Sequence, residues 1–483
     1  MEHQLPPAIE PISSSECGNR PEYECVHTPD GKEAQHFYLA HIEFDDMGEM
    51  WSIGNLQHDQ GKWQSQLATA LATIDKAQDA ARSEKEVVVI AYIHGWHNNS
   101  SPYDEKNKDL SGFKTVLQDL SKRYSRDFPD RPPILVGIFL SWRGQVLAAN
   151  HISSYWNRRD AANRIGGAPL TEVIMRLMLE AKGVPVAADK CESTPGKPNS
   201  HFVVIGHSLG ARALEHAIGQ PMLSLILERQ AQAQACIAAW NRAHPNDNPL
   251  SGVSFTAPAD LIVFLNAAND AFEMKAIIEA LKRSDIKVLR TDEAEDPDEA
   301  NGAGGPFLIS VTSDGDWATE KIMPVAQWLS LPALAFRKYD KNSCDEGQLC
   351  GHKQSFYYRH SAASIKEMRS HTVVDQDIHS KECRAAADSD EDWPYLVATV
   401  DGVDRCFRVM ENETPRLSKN GKRYAPWNNT PAFVIGVPKT LIPSHTDIFQ
   451  DGTEELLIVI ANHFNAFLIP TRMSTPAKSA ESR

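Results

Sequence analysis

One segment constrains the fold of this chain more than any other, because a strand in it runs directly into a tight turn and then into a helix. The strand is predicted at His201–Ile205, the turn is Gly206-His-Ser-Leu-Gly210, and a long helical pattern begins at Ala211. Glycines on both sides of Ser208 let the strand and the helix approach closely in a strained turn. The Ser208 hydroxyl would then stand clear of the sheet, beside the N–H groups of the first helical turn. The alternative is a serine that only caps a helix.

Strands and helices alternate around this segment. Val87–Ile93 is a continuous apolar, β-branched run, which is typical of a strand buried on both faces of a parallel sheet. Further strands are predicted at Ile134–Trp142, Leu261–Leu265, Phe307–Val311 and Ala432–Val437. Helices are predicted at Trp63–Ser83, Gly112–Tyr124, Thr171–Lys182 and Thr453–Phe467. The alternation predicts an α/β fold, with a mostly parallel central sheet and helices on both faces. At the start of the pattern, Phe37–Phe44 and the turn-like Asp45–Gly48 predict a hairpin.

The alternation stops between residues 318 and 430, where we find no comparable periodic strand and many aromatic residues. We therefore predict a core formed by residues 37–317 and 431–470, with a large cap- or lid-like insertion at 318–430 before the last strand. A small satellite core is an equally good interpretation of this insertion. The polar terminal segments 1–36 and 471–483 are predicted to be disordered.

Charge and apolar run length exclude some functions. The net charge is −15, from 49 basic and 64 acidic side chains, and it repels phosphate backbones, so we expect no nucleic-acid partner. No apolar run approaches the ~20 residues of a membrane-spanning helix, so we expect no transmembrane segment.

The cysteines bear on the compartment. Three pairs of the eight cysteines lie close in sequence: Cys17 with Cys25, Cys344 with Cys350, and Cys383 with Cys406. Close pairs favour disulfides and an oxidising compartment, which is secreted or periplasmic. No signal peptide is visible in Met1–Cys25, so a cytoplasmic location stays open.

The motifs together resemble a known superfamily. His94-Gly95 at the end of one strand, Gly206-His-Ser-Leu-Gly210 and the strand order are similar to the α/β-hydrolase superfamily, in its lipase- and esterase-like branch. The resemblance spans residues 85–320 and 430–470 at the level of motifs. It implies an α/β-hydrolase fold, and a serine hydrolase with Ser208 as its nucleophile.

The resemblance also implies roles for neighbouring residues. The backbone N–H groups of Trp96 and Leu209 would form the oxyanion hole, which binds the developing negative charge of the substrate. Substrate contacts are expected from four further residues, namely His94, Gly95, His207 and Trp317. A core histidine satisfied by hydrogen bonds is a second interpretation of His94.

The family carries its acid after the nucleophile, and three aspartates fit that order. Asp314 and Asp316 follow the strand Phe307–Val311, and Asp270 follows an earlier strand. We favour Asp316, because a Gly-Asp step followed by apolar residues resembles the lipase loop. Asp314 remains open, with turn capping as its other role, and Asp270 remains open because some lipases take their acid from the earlier strand.

The base is expected in the loop between the last strand and the closing helix, where His445 lies. There it would take the proton of Ser208 and return it to the leaving group. His463 lies within the closing helix and is expected to pack or face solvent, whereas His360 and His371 lie in the insertion and could line the pocket.

These residues predict an esterase or lipase that cleaves a small-molecule or lipid ester without cofactor or metal. A phospholipase, thioesterase or amidase would use the same residues, and a non-catalytic α/β-hydrolase-fold binding module is the alternative outside the enzymes. The oligomeric state is not indicated.

Overall fold

A computed structural model describes most of the chain. The described residues are 8–9, 37–50, 52–53, 64–82, 84–99, 108–144, 151–184, 186–187, 193–194, 196–197, 199–247, 253–255, 259–284, 286–288, 306–330, 334, 353–388, 394–412 and 431–463. The predicted disorder of 1–36 and 471–483 lies outside these residues, except that Ala8–Ile9 forms a short strand.

Strands and helices are numbered in chain order within these ranges. The strands are β1 (Ala8–Ile9), β2 (Phe37–Phe44), β3 (Ser52–Ile53), β4 (Gln64–Ser65), β5 (Val87–Ile93), β6 (Ile134–Trp142), β7 (Val186–Ala187), β8 (Ser193–Thr194), β9 (Ser200–His207), β10 (Val253–Phe255), β11 (Leu261–Leu265), β12 (Ile286–Val288), β13 (Leu308–Ser313), β14 (His371–Gln376), β15 (Tyr395–Val400), β16 (Val403–Glu411) and β17 (Ala432–Val437). The α-helices are α1 (Gln66–Ala81), α2 (Lys108–Asp127), α3 (His151–Ile165), α4 (Ala168–Lys182), α5 (Leu209–Ala243), α6 (Ala271–Ser284), α7 (Met323–Ser330), α8 (Gln354–Arg359), α9 (Lys381–Asp388) and α10 (Asp451–His463).

An 11-stranded sheet in the order β1-β2-β6-β5-β9-β11-β13-β17-β14-β16-β15 forms the centre of the protein. Every pair from β2 to β14 is parallel, and the pairs at the two edges are antiparallel. The predicted α/β class with a mostly parallel sheet is therefore confirmed. Among the helices described, none is long and apolar enough to cross a membrane.

The predicted first hairpin is wrong. Strand β2 pairs in parallel with β6 along its whole length, from Phe37 opposite Leu135 to Phe44 opposite Trp142. Its return segment forms only a single antiparallel bridge, between Phe44 and Met50. The physical reason is burial, since β2 is covered on both faces and such a strand belongs inside a layered sheet.

Both faces of the sheet are covered by helices, as β5 shows. Val87, Val89 and Ala91 lie in one apolar cluster, together with residues of α1, α4 and α5. Val88 and Ile90 lie in a second cluster on the opposite face, together with residues of α2 and α10. This alternation explains why the whole strand is apolar, and it confirms the helices predicted on both faces.

The segment 318–430 lies between two strands that are parallel neighbours, β13 and β17. It also contributes β14, β15 and β16, which extend the sheet beyond β17. The predicted lack of strands in this segment is therefore wrong. Strands β15 and β16 alternate between buried and exposed residues, so they lack the continuous apolar run of the parallel strands.

One of the three predicted cysteine pairs lies within the described residues, and it is confirmed. A disulfide joins Cys383 of α9 to Cys406 of β16. Cys236 is also disulfide-bonded. The pairs Cys17 with Cys25 and Cys344 with Cys350 lie outside the described residues.

Candidate active site

Parallel strands place the candidate residues together. Strands β5, β9, β11, β13 and β17 are consecutive parallel neighbours, so the loops after them meet at one edge of the sheet. These loops contain His94–Trp96, Ser208, Asn266, Asp314–Asp316 and His445.

Ser208 occupies the predicted sharp turn between β9 and α5. Its backbone φ is 54° and its ψ is −122°, in a region that residues other than glycine rarely adopt. Two bonds hold this turn against β11: the Ser208 N–H donates to the Leu265 carbonyl oxygen, and the Ala268 N–H donates to the Ser208 carbonyl oxygen, both at 3.1 Å. Strain of about 1–3 kcal/mol at such a residue persists only when surrounding contacts impose it.

The glycines near the turn allow close approach, as predicted. A Cβ atom at Gly210 would lie 2.4 Å from the carbonyl oxygens of Ile93 and His94, at the end of β5. A Cβ atom at Gly95 would lie 2.7 Å from the Cβ of Ser208. The end of β5 is therefore in direct contact with the turn that presents Ser208.

Three side chains form a continuous hydrogen-bonded set. The Nε2 of His445 lies 2.7 Å from the Oγ of Ser208, and its Nδ1 lies 2.8 Å from the Oδ1 of Asp316. Because an ionised carboxylate only accepts, Nδ1 carries the hydrogen and Nε2 accepts from the Ser208 hydroxyl. A serine held in this way can transfer its proton to the imidazole when it attacks an electrophile.

Asp316 is fully buried, and Thr319 supplies further hydrogen bonds to it. Burial by itself would raise the pKa of this carboxyl, but the hydrogen bonds and charge of His445 and the bonds from Thr319 bring it below its usual value. The two other candidates lie elsewhere: Asp314 pairs with Arg369 at 2.9 Å, and Asp270 faces Arg212 at 3.6 Å.

His94 is placed in the core. It is fully buried, its Nε2 accepts from the Trp142 N–H at 3.0 Å, and its Nδ1 lies 2.9 Å from the Gly95 carbonyl oxygen. Both ring nitrogens are bonded to backbone groups, which agrees with the second interpretation of His94, a core histidine satisfied by hydrogen bonds; the expected substrate contact stays a prediction. Burial lowers the pKa of His94, so the ring is neutral. It joins the ends of β5 and β6.

His207 is also buried, and it contacts the base loop. Its Nε2 donates to the carbonyl oxygen of His445 at 2.9 Å, and the two imidazole rings lie 5.1 Å apart. A second donor, the Nδ2 of Asn266, lies 3.2 Å from the same carbonyl oxygen. His207 therefore holds the backbone of His445 through this hydrogen bond. The sequence analysis expected His207 to contact the substrate instead.

Asn266 is a residue that the sequence analysis missed. Its φ is 43°, a left-handed conformation that asparagine adopts more readily than most residues. Its Oδ1 accepts from the Ser313 N–H at 3.0 Å, so one side chain links the ends of β11 and β13 with the His445 loop. An asparagine directly after a buried parallel strand was the available signal.

The remaining candidates border the same edge. Trp96 directly follows Gly95, and Leu209 is the first residue of α5, so both backbone segments adjoin Ser208. Trp317 follows Asp316 with its side chain more than half exposed. His360 bonds to the Phe356 carbonyl oxygen.

His371 and His463 complete the histidines considered. His371 is buried on β14 against Phe433, away from the β9 turn. His463 is the last residue of α10, and its side chain lies outside what the structure describes.

The fold and the site define an α/β protein with a hydrogen-bonded serine, histidine and aspartate at the carboxyl edge of its sheet. Compared with known proteins, the chain matches no family model, no curated protein and no solved structure. Within the part of the chain that the structure describes, no group of three or more histidine, cysteine, aspartate or glutamate residues could hold a metal ion.

Proposed function

We propose that this protein is a serine hydrolase of the α/β-hydrolase type that cleaves carboxylic esters. The observation that supports the proposal best is the pair of distances at His445, 2.7 Å to Ser208 and 2.8 Å to Asp316. The strained backbone of Ser208, directly after a buried parallel strand, supports it further. Strained residues of this kind concentrate at functional sites.

In the first half of the reaction, the Oγ of Ser208 attacks the ester carbonyl carbon while the Nε2 of His445 takes its proton. The carbonyl π electrons move to the oxygen, which becomes an oxyanion beside the N–H groups of Trp96 and Leu209. The intermediate then collapses, the bond to the alcohol oxygen breaks, and His445 returns the proton to that oxygen. Asp316 holds the imidazole in the required tautomer and stabilises its charged form.

In the second half, water replaces the alcohol. His445 takes a proton from the water as its oxygen attacks the acyl carbon, and the bond from that carbon to the Ser208 Oγ breaks. His445 then returns the proton to Ser208, so the acid product leaves and the enzyme is restored.

The test is covalent labelling of the whole protein with a fluorophosphonate, measured by intact mass, followed by hydrolysis of p-nitrophenyl esters of increasing chain length. We expect one label per chain, located at Ser208. Ser208→Ala should remove both labelling and turnover, and His445→Ala should reduce both by on the order of 10³-fold or more.

Two variants serve as matched controls. Ser141 is a buried strand serine and His41 is a buried histidine, and among the described residues neither the Ser141 hydroxyl nor the two ring nitrogens of His41 have a hydrogen-bond partner. Ser141→Ala and His41→Gln should keep labelling and turnover. Full activity in Ser208→Ala would refute the assignment, and a folded wild-type protein that takes no label would favour the binding module. The chain-length optimum would separate an esterase from a lipase.

A further inference from the structure

The buried carboxylate of Asp109 lies next to Gly95 and His207, on the inner side of the candidate site. Asp109 is in the first turn of α2 and is 3% exposed. Its Oδ2 accepts from the Tyr92 hydroxyl at 2.7 Å and from the Gly95 N–H at 3.4 Å. The same oxygen lies 3.6 Å from the Nδ1 of His207. One oxygen atom therefore contacts the end of β5, the loop after it, and the last residue of β9.

The contact continues through His207 to the base. Because a carbonyl oxygen only accepts, the Nε2 of His207 carries the hydrogen that it donates to His445. The opposite nitrogen of the ring, Nδ1, faces the Asp109 carboxylate at 3.6 Å, which is just beyond hydrogen-bond distance. The order of carboxylate, imidazole and acceptor resembles that of Asp316 and His445, but here the carboxylate and the imidazole are only in contact, and the imidazole bonds to a backbone atom.

The charge of Asp109 fits this role. Burial alone would raise the pKa of its carboxyl, but the neighbouring imidazole of His207, 3.6 Å away, and the hydrogen bond from Tyr92 bring it below the usual value. Burial and the neighbouring Asp109 raise the pKa of Tyr92 well above its usual value, so the phenol remains a donor. The carboxylate is thus ionised, and the Tyr92 hydroxyl and the Gly95 N–H donate to it.

We infer that Asp109 and His207 are positioning residues, which hold the Gly95 loop and the His445 backbone in register with Ser208. The inference rests on the proposed function for its catalytic consequence. Both segments touch the reacting groups: Gly95 packs on the Cβ of Ser208, and His445 supplies the base. A misplacement of about 1 Å at a reacting group can cost on the order of 10²-fold in rate.

The experiment uses the full chain with Asp109→Asn, His207→Ala and His207→Gln. The matched control is Asp260→Asn, because Asp260 is a second largely buried carboxylate, at the opposite end of the sheet. It pairs with Lys182 and accepts from the Phe202 N–H at 2.7 Å. All four variants change a buried polar side chain, but the partners of Asp260 lie at the opposite end of the strands from the candidate site.

Two readouts are measured, amide hydrogen exchange of residues 94–97 and 443–449, and the separate values of kcat and KM on a p-nitrophenyl ester. In Asp109→Asn and His207→Ala we expect faster exchange in both segments, and a decrease in kcat of about 10- to 100-fold with little change in KM. His207→Gln should recover part of kcat, because its amide can still donate to the His445 carbonyl oxygen. Asp260→Asn should leave exchange in these segments and kcat unchanged.

Three results would overturn the inference: unchanged exchange in Asp109→Asn, an equal loss of kcat in Asp260→Asn, or no recovery in His207→Gln relative to His207→Ala. A wild-type protein without ester turnover or Ser208 labelling would instead refute the proposed function. In that case the exchange measurement still decides whether Asp109 and His207 hold the two segments.

Discussion

At the scale of single residues, the burial and contacts of each side chain separate candidate residues that look alike in sequence. Asp314 and Asp316 are two positions apart in the same loop, and each follows the same strand. The carboxylate of Asp314 is exposed and turns to Arg369, whereas that of Asp316 is buried and turns to His445. The two side chains diverge because the chain turns sharply between them, with the Asp316 N–H donating to the Ser313 carbonyl oxygen at 3.0 Å.

Replacement of Asp316 by asparagine should reduce kcat by on the order of 10⁴-fold, because an amide does not hold His445 in the tautomer that accepts the Ser208 proton. Steady-state kinetics on a p-nitrophenyl ester would measure the loss. Asp314→Asn is the matched control and should keep its activity. A loss of less than tenfold in Asp316→Asn would contradict the role of this carboxylate.

The same variant has a pH-dependent effect on stability. The folded-state pKa of Asp316 lies below its unfolded value. Its ionised form therefore stabilises the fold above the unfolded value, roughly 3.9, and this contribution is lost as the pH falls through the folded value. The difference in unfolding free energy between wild type and Asp316→Asn should be constant near neutral pH and shrink in acid. A difference that grows in acid would show that the sign is wrong.

At the scale of secondary-structure elements, sequence reasoning succeeded where burial imposes one pattern. Strands β5, β6 and β11 begin and end at the predicted residues, because strands buried on both faces must be apolar throughout. Strands β14, β15 and β16 were missed. They form one end of the sheet. Buried residues alternate with more exposed ones along them, so polar residues interrupt the apolar run that marks a central strand.

The disulfide Cys383–Cys406 belongs to this edge, since it fastens α9 to β16 across 23 residues. Its removal in a double serine variant should lower the unfolding free energy by about 3 kcal/mol, because the unfolded chain regains the freedom of the opened loop. Urea unfolding would measure the decrease. The rate of Ser208 labelling in the folded variant should stay as in wild type, because β17 and β14 lie between β16 and the strand that precedes Asp316. A clearly lower labelling rate in the folded variant than in wild type would show that the β16 edge of the sheet supports the site.

At the scale of the whole molecule, buried glutamates and buried histidines have opposite effects on how the free energy of unfolding changes with pH. Burial raises the pKa of Glu273 and Glu454 from 4.5 to about 7. It lowers the pKa of His216 and His371 from 6.5 to about 4, and that of His41 to about 3. As the pH rises from about 4.5 to 6.5, the folded state holds excess protons on the glutamates and lacks protons on the histidines.

Across this window the glutamates lose and the histidines gain stabilising free energy, so the two effects partly cancel in the wild type. In a Glu273→Gln and Glu454→Gln double variant the losses from these two glutamates are removed, so its unfolding free energy should rise with pH relative to wild type. His371→Gln should produce the opposite trend. Urea unfolding at several pH values would test both, and parallel profiles for all three proteins would contradict the argument.

The sequence by itself determined the α/β class, the parallel strands at the centre of the sheet and the strained turn at Ser208, because local burial and backbone geometry dictate these patterns. Chain order also singled out His445, whose Nε2 lies 2.7 Å from the Oγ of Ser208. Only the tertiary structure decided among the three aspartates, moved His94 into the core and revealed Asn266 and Asp109. These depend on which side chains meet at the edge of the sheet across more than 100 residues of chain, and local pattern does not record such contacts.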